Sequence, residues 1–501
     1  MQQQIHARGS VRHAEKRRRG TCEFANRVAR ASLDAYERAV PETYRKANRQ
    51  TCVAAIVAHF QSNNNCDESV DPAPRTVDDN LVVLGLGVGT KFLAHSMLVQ
   101  EQAGYGKRIR DGHAEVLARR AFQRHIIEEM RNDLALDGRK SDDPLKIPPL
   151  VLERLDRGDE ATKAAEIRYR LKPGVSLHFY ASSAPCGNAT LKKFVKMEKE
   201  KFDESLGPDE WPSDQVHSPL QAHSIRLGQF SLLVKKDSSS SSVEPPTAVA
   251  ADEDNLRVSR QSKRRKAWPC RERDDWCPPS CSIVNFGMGT IHSCSDKLAR
   301  WNCLGLQGSL LMTLIEEPMY MTTLTIGRKF SRATCQRAVC CRAEGYDAGV
   351  DKFAVNHPVL METNVYMDES GTHDMSGVKS IGRDASFDSS MCYIWWPDSN
   401  AAECIDGTTG FLSSGNIGDS KSCEASDCQS TSECSTYKMT HVVLEVVRRC
   451  GTSQNVPPDK TKELTLSQLR ELKRRVSPKY ELAKSALFRH GTFDQWSLRQ
   501  C

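Results

Sequence analysis

The residues of this chain best suited to chemistry are a histidine, a glutamate two positions later, and two cysteines far downstream. The stretch Gly112-His113-Ala114-Glu115-Val116-Leu117-Ala118-Arg119-Arg120 follows an Asp111-Gly112 turn signal. Behind it Ala114, Leu117, Ala118, Ala121 and Phe122 recur at helical spacing. The imidazole and the carboxylate therefore stand at the start of a helix that packs into a core. Such an imidazole can hold zinc, while a carboxylate two residues on stays off the metal and moves protons. The same tripeptide pattern recurs at His13-Ala14-Glu15, inside a basic tail with no apolar helix behind it, and that copy needs no function.

The cysteines extend the pattern. Ser176 to Ala181 alternates as a strand, with Leu177, Phe179 and Ala181 on one face, and ends in Ser182-Ser183-Ala184-Pro185-Cys186-Gly187. A strand, a small-residue turn and Pro-Cys opening a helix favour the thiolate that zinc requires, because a helix N-terminus lowers a cysteine's pKa. His-x-Glu followed by Pro-Cys is the order found in zinc nucleobase deaminases, whose signature closes with Pro-Cys-x-x-Cys. Position 189 is alanine, so the third ligand must come from elsewhere. Cys294 is the candidate, since it too precedes a helix, with Ser295 as polar capping residue. One histidine and two thiolates leave the fourth zinc position to water, which the metal activates near neutral pH. Glu115 then takes a proton from that water and hands it to the purine N1 and the leaving ammonia. Two other groupings, Cys270/Cys277/Cys281 and Cys423/Cys428/Cys434, fall in stretches of weak order and are lesser candidates for a structural zinc.

The rest of the chain must position these groups. Its 501 residues, 39% hydrophobic, can bury one large core or two. The balance of 70 Lys+Arg against 64 Asp+Glu, net +6, is too mild for a purely electrostatic nucleic-acid coat. No apolar run reaches a membrane span and no signal-peptide core is present, so the expectation is a soluble protein whose 19 cysteines are thiols and metal ligands. Residues 1–23 read as a disordered basic tail; an RNA-binding arm or a mitochondrial presequence remains open. Residues 24–501 read as one domain. From Phe24 to about Phe60 the pattern is helical with a break at Pro41, and Asn63 to Asp79 is a loop. Leu81 to Leu86 is a buried strand that runs into Gly87-Val88-Gly89-Thr90-Lys91, and a further strand from Phe92 leads to the helix of His113. That helix extends to about Leu136, and 137–165 is a charged, proline-broken insertion.

A second, disordered insertion is expected at about 200–276, with a serine run at Ser238 to Ser242 and the basic cluster Lys263-Arg264-Arg265-Lys266. That cluster resembles a nuclear-import signal, with a solvated charge run as the alternative. Beyond it a long helix is expected from Ser293, with Leu298, Trp301, Leu310, Leu311 and Leu314 as its stripe and Glu316-Glu317-Pro318 as its end. A strand at Tyr320 to Ile326, a helix at about Ser331 to Arg342 and a strand at Cys392 to Trp396 follow. A Ser/Cys-rich loop occupies about 413–435, then a strand at His441 to Val447 and a helical region from Ser467 to Phe488.

Taken together, the stretch around His113, Ala184-Pro185-Cys186-Gly187, and Ser293-Cys294-Ser295-Asp296-Lys297-Leu298-Ala299-Arg300-Trp301-Asn302 resemble the adenosine-to-inosine RNA deaminase domain. The third motif is the most specific, and the resemblance runs from about residue 24 to the end. It implies an α/β, cytidine-deaminase-like three-layer fold with a mixed central sheet, a zinc site at helix N-termini and an extended C-terminal helical part. It also implies a buried inositol hexakisphosphate. Arg119, Arg120, Lys297 and Arg300 lie on the helices that begin at the zinc, and clustered buried cations need an anion; a polyphosphate or nearby carboxylates both answer that need. By resemblance Trp301, Gln307, Ser309, Tyr480 and Lys484 join the polyphosphate site, with Trp496 as a last contact. Arg110, where the family usually has asparagine, and Phe411, which replaces a common lysine, depart from the pattern. Gly287-Met288-Gly289 is the candidate base-flipping loop.

The same resemblance assigns Thr90 and Lys91 to RNA backbone, with an ordinary strand-end turn as the alternative. The family acts on duplex messenger RNA or on tRNA. No double-stranded-RNA-binding module precedes the deaminase-like region, so the tRNA branch is expected, acting on the adenosine directly after the anticodon of alanine tRNA. Editing of structured messenger RNA is the alternative, as is a non-catalytic RNA-binding protein retaining the fold, against which Glu115 argues. The expected partner is tRNA, with no membrane; the expected state is a monomer, in the nucleus and/or cytoplasm.

Overall fold

The computed structural model of the chain describes residues 23–47, 51–61, 80–93, 105–136, 149–158, 165–187, 189, 222–224, 231–233, 293–366, 390–413, 430–451 and 464–490. The first helix, α1 (23–39), shows Val28, Ala29, Leu33 and Tyr36 along one buried stripe. A short α2 (Glu42–Ala47) follows Pro41. The helical pattern expected to run to about Phe60 instead gives way to strand β1 (Val53–Phe60). Val-Ala-Ala-Ile-Val-Ala is covered on both faces, so it shows neither a helical nor an alternating period, and only its pairing decides its state.

Strand β2 (Leu81–Val88) pairs antiparallel with β1. Next come β3 (Thr90–Phe92), β4 (Asp111–His113) and α3 (Ala114–Ala135). The glycines of β2 let this helix approach closely. A Cβ on Gly87 would stand 2.2 Å from the Ala114 carbonyl oxygen, and one on Gly85 2.4 Å from the Phe122 nitrogen. The stretch read as a charged insertion includes β5 (Leu152–Gly158), which pairs antiparallel with β6 (Ala165–Leu171); β7 (Val175–Ser183) follows. Within the expected insertion at 200–276, only β8 (Ala222–Ser224) and β9 (Ser231–Leu233) are described, paired antiparallel.

The long helix expected from Ser293 is two. α4 (Cys294–Leu304) stops at Gly305, whose φ of 80° ends the helix, and α5 (Gly308–Leu311) restarts after it. β10 (Thr323–Arg328), α6 (Arg332–Val339), β11 (Val359–Glu362), β12 (Met391–Trp395) and β13 (Glu403–Asp406) follow. The segment at His441 to Val447, read as a strand, lies within helix α7 (Thr436–Arg449). Its β-branched residues favour a strand locally. However, Met439, Val443, Val446 and Val447 fall on one helical face in the main core, and the Ser435 hydroxyl caps the helix by accepting from the Lys438 nitrogen. α8 (Leu466–Val476) and α9 (Pro478–Arg489) complete the described chain.

Among the described residues the main sheet has seven strands in the order β11-β10-β7-β1-β2-β12-β13. β10 runs parallel to β7 and β11, and the other pairings are antiparallel, so the sheet is mixed. Helices cover both faces. Alternate β1 residues Ala54, Ile56 and Ala58 pack with α3, α4, α6 and α7, whereas Val53, Ala55 and Val57 pack with α1. No described helix is long and apolar enough to cross a membrane. Residues 1–22 of the expected basic tail, the import-like cluster, Gly287-Met288-Gly289, Trp496, and the cysteines at 270, 277, 281, 423 and 428 lie outside the described residues.

Candidate metal centre and its basic surroundings

The site is assembled from two helix starts and one strand end. β4 pairs with β3, matching His113 to Thr90 and Gly112 to Lys91, and His113 is the residue immediately before α3. Its ring Nδ1 lies 2.8 Å from Asp111 Oδ1, and its backbone N–H donates to the same oxygen at 3.0 Å. Asp111 Oδ2 in turn accepts from the Lys297 ammonium on α4. An imidazole held in this way has its Nδ1 engaged by a carboxylate, which leaves Nε2 as the ligand atom for a metal.

β7 delivers Cys186. Gly187 follows with φ +92°, and a Cβ there would lie 2.1 Å from Ser293 Oγ, so this turn accepts only glycine without rearrangement. The Cys294 N–H donates to Cys186 Sγ at 3.3 Å, and the Ser295 N–H to the Cys186 carbonyl at 3.0 Å. The capping residue of α4 is Ser293 rather than the expected Ser295. Its Oγ accepts from the Asp296 nitrogen, and Asp296 Oδ2 accepts back from the Ser293 N–H at 3.1 Å. Cys294 itself is the first helical residue, so its otherwise unbonded N–H is available to the sulfur of Cys186. The fully buried Asp296 carboxylate is paired with Arg342 at 2.7 Å.

The ligand atoms of His113, Cys186 and Cys294 lie within 4.8 Å of one another. In a tetrahedral zinc site with Zn–S near 2.3 Å and Zn–N near 2.0 Å, neighbouring ligand atoms are roughly 3.5–3.8 Å apart, so the three residues fit that metal. Two sulfurs, an imidazole with an outer carboxylate and an N–H aimed at one sulfur are also the donor chemistry of zinc. Glu115 is buried beside them, 6% exposed, and its carboxyl is pushed up first by burial and then by the Cys186 sulfur. The Cys294 thiol is raised by its hydrogen bond with Cys186 and then by burial. Burial opposes ionisation of both partners in the outer pair. The Lys297 and His113 charges nevertheless hold Asp111 well below the carboxylate range, and Asp111 holds His113 up to about 9.

One turn beyond Glu115 the surroundings become basic. Arg119 lies with its guanidinium 5.0 Å over the Trp301 ring. Arg119 Nε, Trp301 Nε1 and Ser309 Oγ are all buried without a hydrogen-bond partner among the described residues. Arg119 is pushed down to about 9 by burial and by Arg300 and Arg120, against the pull of Tyr480. A guanidinium does not give up its proton in practice, so this shift expresses an uncompensated positive field. Lys473 on α8, which the sequence reading missed, is pushed down to about 8 by burial and then by Lys484, with Arg120 and Arg300 adding to it. Its only signal in the sequence was a place in the run Glu471-Leu472-Lys473-Arg474-Arg475, which looks like an ordinary solvated helix face.

Carboxylates neutralise some of these cations. Lys297 is paired with Asp111, and Lys484 with Glu481 at 2.7 Å. Arg120 instead donates to the Cys434 carbonyl at 2.9 Å and the Thr436 hydroxyl at 3.3 Å. The Gln307 side chain holds the α4–α5 turn, donating to the Leu304 carbonyl and accepting from the Met319 nitrogen, each at 2.9 Å. The two departures from the family pattern have local partners: Arg110 stacks on Tyr105 at 4.1 Å, and Arg108 stacks on Phe411 at 4.4 Å. Thr90 is exposed and Lys91 half-buried on β3, one strand from His113.

A model of the adenosine-deaminase (editase) domain matches residues 85–500, a span that includes Glu115 and all three candidate ligands. Mouse tRNA-specific adenosine deaminase 1 is 27% identical over 343 residues, 59% of this chain and 64% of that protein. Its human counterpart is 23% identical over 405 residues, 69% of this chain and 74% of that protein. Mouse double-stranded RNA-specific adenosine deaminase is 28% identical over 297 residues, 58% of this chain but 20% of that protein. The chain thus spans just under two thirds of the first of these relatives and a fifth of the last.

Proposed function

This chain belongs to the adenosine-deaminase (editase) domain family, and from that premise we propose that it converts adenosine to inosine in RNA by hydrolysis, with tRNA as substrate. The observation that carries the reading is the burial of Glu115 beside Cys186 and Cys294. Neither metal binding nor RNA binding needs a carboxyl there, whereas hydrolytic deamination needs a group that moves protons. His113 through Nε2, Cys186 and Cys294 would hold zinc and leave one position open. Zinc bound there supplies the Lewis acidity that makes water a nucleophile near neutral pH. Glu115 takes a proton from the water that adds at C6 of the base and delivers protons to N1 and to the departing amine. Water and adenosine thus yield inosine and ammonia. Asp111, braced by Lys297, keeps the His113 ring in orientation.

The basic group around Arg119, Arg120, Arg300, Lys473, Tyr480 and Lys484 is assigned to inositol hexakisphosphate. The unpartnered buried donors of Arg119, Trp301 and Ser309 support this, since a compact polyanion supplies acceptors and negative charge together. Lys297 and Gln307, engaged with Asp111 and the α4–α5 turn, would form the wall of that site. The mixed sheet with helices on both faces, and the metal group at two helix starts, support a cytidine-deaminase-like three-layer architecture.

For tRNA, the support is the similarity to the mouse and human tRNA-specific enzymes, over 59% and 69% of this chain. An anticodon loop also presents an unpaired adenosine, which costs less to extrude than a base in a duplex. Thr90 and Lys91, beside the metal group, would meet the RNA backbone. The test is to incubate purified protein with tRNA transcripts and with duplex RNA, and to read inosine by sequencing. Inosine directly after the anticodon is expected. Inosine in the duplex alone would favour the messenger-editing branch, and inosine in neither would leave a non-catalytic RNA-binding protein.

A further inference from the structure

A second cluster of metal-binding side chains stands apart from the site just described. Cys340, Cys341 and His357 bring one ligand atom each within 4.8 Å of one another. Cys340 Sγ lies 3.7 Å from Cys341 Sγ, and Cys341 Sγ lies 3.9 Å from His357 Nδ1. The edges of a tetrahedral zinc site are about 3.8 Å between sulfurs and about 3.5 Å between sulfur and nitrogen, on Zn–S near 2.3 Å and Zn–N near 2.0 Å. The two measured separations therefore match those edges to within a few tenths of an ångström. Two thiols and an imidazole are a borderline-soft donor set that suits zinc over calcium, magnesium or manganese.

We propose that Cys340, Cys341 and His357 form a second zinc site, distinct from the His113 centre. This inference does not depend on the deaminase reading. The cysteines stand where α6 ends and a single turn of 3-10 helix (Cys341–Ala343) begins, while His357 lies on the segment leading into β11. Zinc there clamps the end of α6 to the approach of an edge strand. Cys340 is buried, Cys341 half-buried and His357 exposed, so the cluster opens to solvent and water completes the coordination. The clamp also fixes the backbone next to Arg342, whose side chain donates to the Ser295 carbonyl and pairs with Asp296 at the start of α4. Metal at the second site thereby braces the helix that carries Cys294.

The test uses the full chain, equilibrated with excess zinc, freed of unbound metal and assayed for zinc per chain. His357→Ala and Cys341→Ser should each lose one equivalent relative to wild type. Combining either with Cys294→Ala should lose two. Because His357 is exposed, its alanine variant should keep the wild-type circular-dichroism spectrum, and it decides the matter alone if Cys341→Ser does not fold. Titration of zinc into metal-depleted His357→Ala should show one binding step weakened more than about tenfold, since loss of a ligand exceeds the loss of an outer-shell partner. In wild type, zinc should also protect Cys341 from iodoacetamide. The proposal is overturned if His357→Ala retains the wild-type zinc count and affinity, or if zinc leaves the alkylation of Cys341 unchanged.

Discussion

Replacing Arg342 by methionine tests the reasoning about the start of α4 most severely. The Arg342 side chain is 2% exposed and its Asp296 partner 0%, with 2.7 Å between them. Asp296 also accepts from the Ser293 nitrogen and from Ser293 Oγ, at 3.1 and 2.7 Å, and so closes the cap from which Cys294 starts. Methionine keeps the length of the side chain but removes the charge, leaving a buried carboxylate with only neutral donors. Breaking a buried pair in this way costs about 3–5 kcal/mol, because the remaining charge stays desolvated. Asp296→Asn should cost a similar amount for the mirror-image reason. The double variant Arg342→Met, Asp296→Asn leaves neither charge, so its loss should fall short of the sum of the singles by about 2–3 kcal/mol. Urea unfolding followed by circular dichroism, at fixed zinc, measures all four corners of the cycle. The single variants should also release zinc more readily, since the cap positions Cys294. An Arg342→Met variant within about 1 kcal/mol of wild type, or a double variant additive to within about 0.5 kcal/mol, would refute the argument.

Glu115→Gln should lower inosine formation by about 10²- to 10⁴-fold, with zinc content and melting temperature unchanged; activity near the wild-type level would remove the proposed proton carrier. Gly187→Ala forces a side chain into a left-handed turn 2.1 Å from Ser293 Oγ, and should cost about 1–3 kcal/mol in urea unfolding and loosen the metal. His125 is buried between Asp398 at 2.6 Å and Glu129 at 3.2 Å, and although burial opposes it, these carboxylates raise it to about 9. A raised histidine stabilises fully below about pH 6.5 and less as pH climbs through about 9, so wild type should lose stability over that window while His125→Gln shows a flatter profile. Lys473, depressed from 10.5 to about 8, has the opposite sign: protein stripped of polyanion should lose stability as pH falls from about 10.5 to about 8, where the unfolded chain takes up that proton and the folded state resists it. Added inositol hexakisphosphate, or Lys473→Met, should flatten that slope in melting-temperature measurements, and an unchanged slope would count against a polyanion site.

The candidate metal centre was legible because each part is written locally. His113 and Cys294 stand at helix starts, and Cys186 follows an alternating strand and a small-residue turn. Turn chemistry and apolar periodicity act over a few residues, so they survive in the sequence. States set by distant partners do not. The apolar run of β1 has no period because helices cover both its faces, and it becomes a strand only through pairing with β2 and β7. The β-branched run of α7 reads as a strand until Val443, Val446 and Val447 find the main core on one helical face. The α4 cap moved from Ser295 to Ser293, since the choice depends on a carboxylate returning to the N–H of Ser293 and on Arg342 holding that carboxylate from 46 positions away. Lys473 looks like a solvated charge in the sequence but is half-buried in the basic group, because the field it feels comes from α3, α4 and α9. Neighbouring residues write themselves into a sequence through propensity and period. Convergence across the fold, as with Lys297 on Asp111 or His357 on Cys341, leaves no such mark, because the contact energy belongs to pairs that the chain brings together only once it has folded.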